Sequence, residues 1–146
     1  MVLSHSCTVP KDLVAWDSIS GAVVMRLIGH CKEVVGACAL PSGGLLSWSE
    51  DKTLRLWDEV RGTEIRTFQG HTDVVLGAMQ LEASRLLSWS KDNTLRIWEM
   101  ETARELAVLR GHCNNINRVE AIDGAFLLSS GYNGELILWN MNGELV

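Results

Sequence analysis

A 41-residue period constrains this chain more than any other feature. Trp16, Trp57, Trp98 and Trp139 stand 41 residues apart. His30, His71 and His112 keep the same step, each preceded by a glycine (Gly29, Gly70, Gly111). The segment Gly43 to Asp58, GGLLSWSEDKTLRLWD, returns almost letter for letter as SRLLSWSKDNTLRIWE from Ser84 to Glu99. It returns again as GAFLLSSGYNGELILWN, ending at Asn140. Each copy has two short apolar runs around a polar turn, the pattern of an antiparallel hairpin. A period of this length demands stacked copies of one supersecondary unit rather than a single irregular fold.

The register predicts the strands. In the first full copy they are Val34 to Leu40, Leu45 to Trp48, Thr53 to Trp57 and Thr63 to Phe68. The second copy gives Val75 to Leu81, Arg85 to Trp89, Thr94 to Trp98 and Ala103 to Leu109. The third gives Ile116 to Ile122, Ala125 to Ser129 and Glu135 to Trp139, with a fourth strand only begun at Glu144. Glu101 to Leu109 would pass for a short helix in isolation, but its place in the repeat makes it a strand. Before all of these, Gly21 to Ile28 reads as the outer strand of a worn copy. In that copy Ser6 falls under Ser47 and Pro10 under Asp51. The sheets are apolar on both faces, so each must be sandwiched between two others.

On these Gly-His and Trp positions the chain resembles the WD40-repeat family, over nearly its whole length. The resemblance implies an all-β fold, a partial WD40 β-propeller with three full four-stranded blades and a degenerate N-terminal blade remnant. It implies one domain, 1–146, divided into the remnant 1–29 and repeats at 30–69, 70–110 and 111–146, the last with its fourth strand truncated.

Composition narrows the function classes. The 146 residues carry a formal charge of −5, with scattered basic residues, which argues against nucleic acid as partner. No run of about 18 apolar residues suits a membrane span. The first residues lack the basic start and apolar centre of a secretory signal. Of the four cysteines, Cys7, Cys31, Cys38 and Cys113, none forms a C-x-x-C pair. They read as reduced thiols in a cytoplasmic protein without metal or other cofactor.

Each full copy carries a histidine, a serine, an acid or amide, and a tryptophan at fixed offsets. The sets are His30, Ser47, Asp51, Trp57; His71, Ser88, Asp92, Trp98; and His112, Ser129, Asn133, Trp139. A Ser-His-Asp hydrolase would use such residues, but an enzyme needs one site, and three at equal spacing are redundant. The alternative is a buried relay, in which serine accepts from the indole N–H and donates to histidine, while the acid accepts from the other ring nitrogen. The resemblance implies that relay as a structural network. Ser49 shares a sheet face with Ser47 and is a second candidate for the relay. Asn133 lacks the charge of Asp51 and Asp92, so the third blade is expected to be the least well tethered. Trp48 and Trp89 point to the opposite face and are expected to pack between blades.

The resemblance also implies a rigid platform for a protein or peptide partner. Carried over by position, the docking face comprises Glu50, Lys91 and Tyr132 in the hairpin turn. At the entry to the innermost strand it comprises Glu33 and Val35, Val74 and Leu76, and Asn115 and Asn117. Tyr132, Leu76 and Val74 are the expected anchors, since aromatic and apolar groups carry most interface energy. Three repeats and a remnant fall short of a seven-bladed ring. The expectation is therefore either a piece of a longer propeller or a homo-oligomer that completes one. A self-assembling segment whose sole partner is its own kind is the alternative function.

Overall fold

The computed structural model describes residues 11–82 and 84–146. Thirteen strands form four antiparallel sheets in chain order, with no helix among the described residues. A two-stranded hairpin comes first, β1 (Lys11–Trp16) and β2 (Val23–His30). The first blade follows as β3 (Val34–Ala39), β4 (Leu45–Ser49), β5 (Thr53–Trp57) and β6 (Glu64–Gln69). The second is β7 (Val75–Glu82), β8 (Arg85–Ser90), β9 (Thr94–Glu99) and β10 (Glu105–Arg110). The third has β11 (Ile116–Ile122), β12 (Phe126–Gly131) and β13 (Leu136–Asn140).

The first two blades have four strands each, and the third lacks a full fourth strand, in line with the truncation expected at Glu144. Its sheet has three strands, and a single bridge between Trp139 and Leu145 stands where β6 and β10 lie in the others. The sequence places on Ser6 and Pro10 lie outside the described residues. The strand expected to begin at Ala103 begins at Glu105, because Ala103 is a turn residue with φ of +57°. Gly62 and Gly21, one and two periods earlier, hold the same left-handed conformation, which glycine adopts at no steric cost.

Two apolar layers hold the blades together. Leu46, Leu54, Leu56 and Phe68 of the first blade meet Val75, Ala78, Leu86 and Trp98 of the second. One period on, Leu87, Leu95, Ile97 and Leu109 meet Ile116, Val119, Leu127 and Trp139. Each fully buried Leu or Phe contributes about 2 kcal/mol. The next set in register, Leu128, Leu136 and Leu138, forms the outer face of the third sheet, where Leu136 is 66% exposed. The extra tryptophans pack between the blades. The ring of Trp48 lies across Gly36, and that of Trp89 across Gly77, leaving no room for a β-carbon at either glycine. In the third blade the paired positions are Arg118 and Ser130.

Every innermost strand carries the same irregularity near its start. The pairing skips one residue between Val34 and Gly36, between Val75 and Gly77, and between Ile116 and Arg118. The bulged residues are Val35, Leu76 and Asn117. A bulge leaves its extra residue outside the ladder and re-aims its side chain.

Candidate functional site

The four-residue sets assemble as staples between sheets. In each, the histidine stands at or just beyond the end of an outer strand, and its partners belong to the following blade. His30 closes β2, while Ser47, Asp51 and Trp57 sit on β4, the turn after it, and β5. Trp57 Nε1 donates to Ser47 Oγ at 2.8 Å, and Ser47 Oγ lies 2.8 Å from His30 Nε2. His30 Nδ1 lies 2.8 Å from Asp51 Oδ2. The chemistry assigns the protons. Indole can only donate and an ionised carboxylate can only accept, so the imidazole carries its proton on Nδ1 and the serine O–H points at Nε2. The second blade repeats these distances with Trp98, Ser88, His71 and Asp92.

The carboxylates in these two blades are saturated. Asp51 Oδ2 also accepts the backbone N–H of Cys31, and Oδ1 accepts the N–H and hydroxyl of Thr53. Asp92 does the same with Thr72 and Thr94. Burial pushes both carboxyls up. The bonds from histidine, threonine and the backbone outweigh it and hold them below the usual carboxylate range. Ser49 makes a separate corner, donating to the Glu33 carbonyl at 2.8 Å and accepting the N–H of Asp51.

In the third blade the expected acceptor is corrected. Trp139, Ser129 and His112 join as in the others, but His112 Nδ1 meets Glu135 Oε2 at 3.0 Å, not Asn133. Asn133 is exposed and uses its Oδ1 to accept the N–H of Glu135 at 3.3 Å. The cause is a coordinated change of the corner. Where the earlier blades have Ser, Asp and Thr at 49, 51 and 53, the third has Gly131, Asn133 and Glu135. The carboxylate has moved two residues along and gained a methylene, which lets it reach the same ring nitrogen from the threonine position. A threonine replaced by an acid, in the repeat whose acid became an amide, was the signal in the sequence. The Cys113 backbone N–H chiefly lowers the Glu135 carboxyl from its ordinary value; partial burial opposes this and His112 adds to it.

The residues expected to meet a partner lie at the same end of each sheet. Glu50 N–H donates to the Glu33 carbonyl, Lys91 to Val74 and Tyr132 to Asn115, at 2.9, 2.9 and 3.0 Å. These bonds tie the hairpin turn to the entry of the innermost strand in all three blades. Val35, Leu76 and Asn117 are the bulged residues beside them. All nine are exposed or half-buried, and β3, β7 and β11 are neighbours, so the three corners adjoin. A second row of bulges, Val24, Ile65 and Leu106, lies on the outer strands with exposed apolar side chains, and the sequence reading did not single it out.

The sequence pattern of the family described as "WD40: WD domain, G-beta repeat" matches three times, at 21–58, 62–99 and 103–140. Among solved structures, the chain is similar to the crystal structure of the WD40 beta propeller domain of Doa1. The TM-score is 0.75 at 27% identity over 87% of this chain. The chain spans 44% of the length of that structure. No curated protein matches.

Proposed function

This chain belongs to the WD40-repeat family, whose propellers serve in general as protein-interaction scaffolds, and from that premise we propose that it is a non-enzymatic platform for a protein or peptide partner. One observation carries the reading. Ser47, Ser88 and Ser129 are wholly buried, with the oxygen of each held between an indole and an imidazole. A hydroxyl so enclosed supports the sheet and meets no substrate, whereas the side chains that differ between repeats are exposed at the three corners. Leu76 and Tyr132 are the anchors of the docking face.

Peptides selected from a display library on the folded chain provide the test. Their affinity should fall more than tenfold with Leu76→Asp or Tyr132→Ala and stay unchanged with Glu101→Ala, in a turn at the opposite end. Turnover of an ester or peptide that disappears with Ser88→Ala would overturn the reading.

The finer reading is that the platform works inside a larger ring, completed by further blades or by another copy of the chain. The apolar outer face of the third sheet supports it, because Leu87, Leu95 and Ile97, one period earlier, are fully buried. Light scattering decides: a folded monomer at micromolar concentration contradicts it. The cytoplasm is the compartment we propose, on the cysteine usage; burial pushes the Cys38 thiol up, which keeps it unreactive.

A further inference from the structure

The corner of the third blade differs from the other two in charge as well as in geometry. Asp51 and Asp92 use both carboxylate oxygens and are 8% and 5% exposed. Glu135 is 29% exposed, and its Oε2 takes both the His112 and the Cys113 bonds. No hydrogen bond to its Oε1 stands out among the described residues, and the neighbouring Asn133 amide adds only the last and smallest of the influences that lower the carboxyl. A carboxylate this exposed therefore has lone pairs within reach of an outside donor.

The surroundings leave that charge unneutralised. The first corner holds Lys32 and Lys52, and the second holds Lys91, with the Arg96 guanidinium 3.9 Å from Asp92. The third has no lysine or arginine at 112–117 or 131–135, and Ile137 replaces Arg96 in register. What it has is Tyr132, 66% exposed, and the amides of Asn115 and Asn133. An exposed ring in the same turn as a part-exposed carboxylate suits a cation, which gains from the ring face and from a charge-assisted bond. The net charge of −5 favours a basic partner's approach.

We propose that this corner, built from Glu135, Tyr132, Asn133 and Asn115, receives a lysine or arginine side chain of the protein partner. The inference rests on the platform reading and narrows it to a basic residue docked on the third blade. Glu135 Oε1 accepts from the ammonium or guanidinium, the Tyr132 ring covers its stem, and the amides bond the partner's backbone.

The probes are three peptides, Gly-Ser-Gly-Lys-Gly-Ser-Gly and its arginine and norleucine versions, titrated into the nitrogen-15-labelled chain and followed by amide chemical shift. The lysine and arginine peptides should shift the Cys113, Asn133 and Glu135 amides at millimolar concentration, and the norleucine peptide should not. Glu135→Gln retains an oxygen for His112 and should weaken binding about tenfold. Tyr132→Ala, at an exposed position, should weaken it several-fold without changing the melting temperature. Equal shifts with norleucine, shifts centred on the first or second corner, or indifference to both substitutions would each overturn the proposal. Display-selected peptides that bind through Leu76 but ignore Glu135 would do so while leaving the platform reading intact.

Discussion

The second and third blades solve one problem in two ways. Both must give His71 or His112 an acceptor for Nδ1 while its other nitrogen holds a buried serine. The second blade uses a short acid in the hairpin turn, clamped by Thr94 and by the Thr72 backbone, and sealed from water. The third uses a longer acid on the strand side, reaching over a Gly131–Gly134 turn and 29% exposed. The staple survives either way, because the histidine requires an acceptor and not a particular residue. What changes is accessibility. The second corner spends every lone pair on the fold, and the third leaves its carboxylate 29% exposed.

The largest test removes each acid. Asp92→Ala strands the His71 Nδ1–H and the Thr72 N–H in a buried site, and should cost about 3 kcal/mol in urea unfolding. Glu135→Ala should cost clearly less, because water reaches its place; equal losses would break the comparison. The same contrast governs acid stability. Asp51 and Asp92 are held below their ordinary values when folded. Their stabilisation is therefore complete above the unfolded carboxylate pKa of about 3.9, and it is lost as pH falls through the lower folded values. The melting temperature should be flat from neutrality to about pH 5 and fall below about pH 4, less steeply in Asp92→Asn.

Next comes the tryptophan that covers a glycine. Gly77→Ala drives a methyl into the Trp89 ring and should cost about 2 kcal/mol, with a loss of near-UV circular dichroism. Arg118→Ala, at the matching place in the third blade, should stay within about 0.5 kcal/mol. A graft sharpens the comparison further. Asn133→Asp alone should bring no gain, since Glu135 already holds His112. Gly131→Ser, Asn133→Asp and Glu135→Thr together rebuild the second blade's corner and should raise stability by about 1 kcal/mol. The smallest effect belongs to the turn. Lys52 has φ of +73° where the third blade places Gly134, so Lys52→Gly should stabilise by about 0.5 kcal/mol.

How much of this was legible beforehand follows from what repeats and what does not. The 41-residue period carried the sheets, their order and the buried His, Ser and Trp of each set, because a recurring residue must serve a recurring contact. Asn133 misled for the same reason. Position alone put it in the relay, whereas the relay answers to reach, and a glutamate two residues on can reach. The bulges were invisible, since they arise from a mismatch in pairing rather than from any residue type. The missing fourth strand of the third blade was legible at Glu144, and its single bridge at Leu145 adds only where it touches.

The bulges have a consequence for how such a molecule can change. Val35, Leu76 and Asn117 have no residue opposite them in the ladder, so a change of side chain there disturbs no cross-strand pair and leaves the neighbouring rungs in step. Duplicated units that begin identical can therefore drift apart in taste, one socket at a time, while the frame that copied them stays the same.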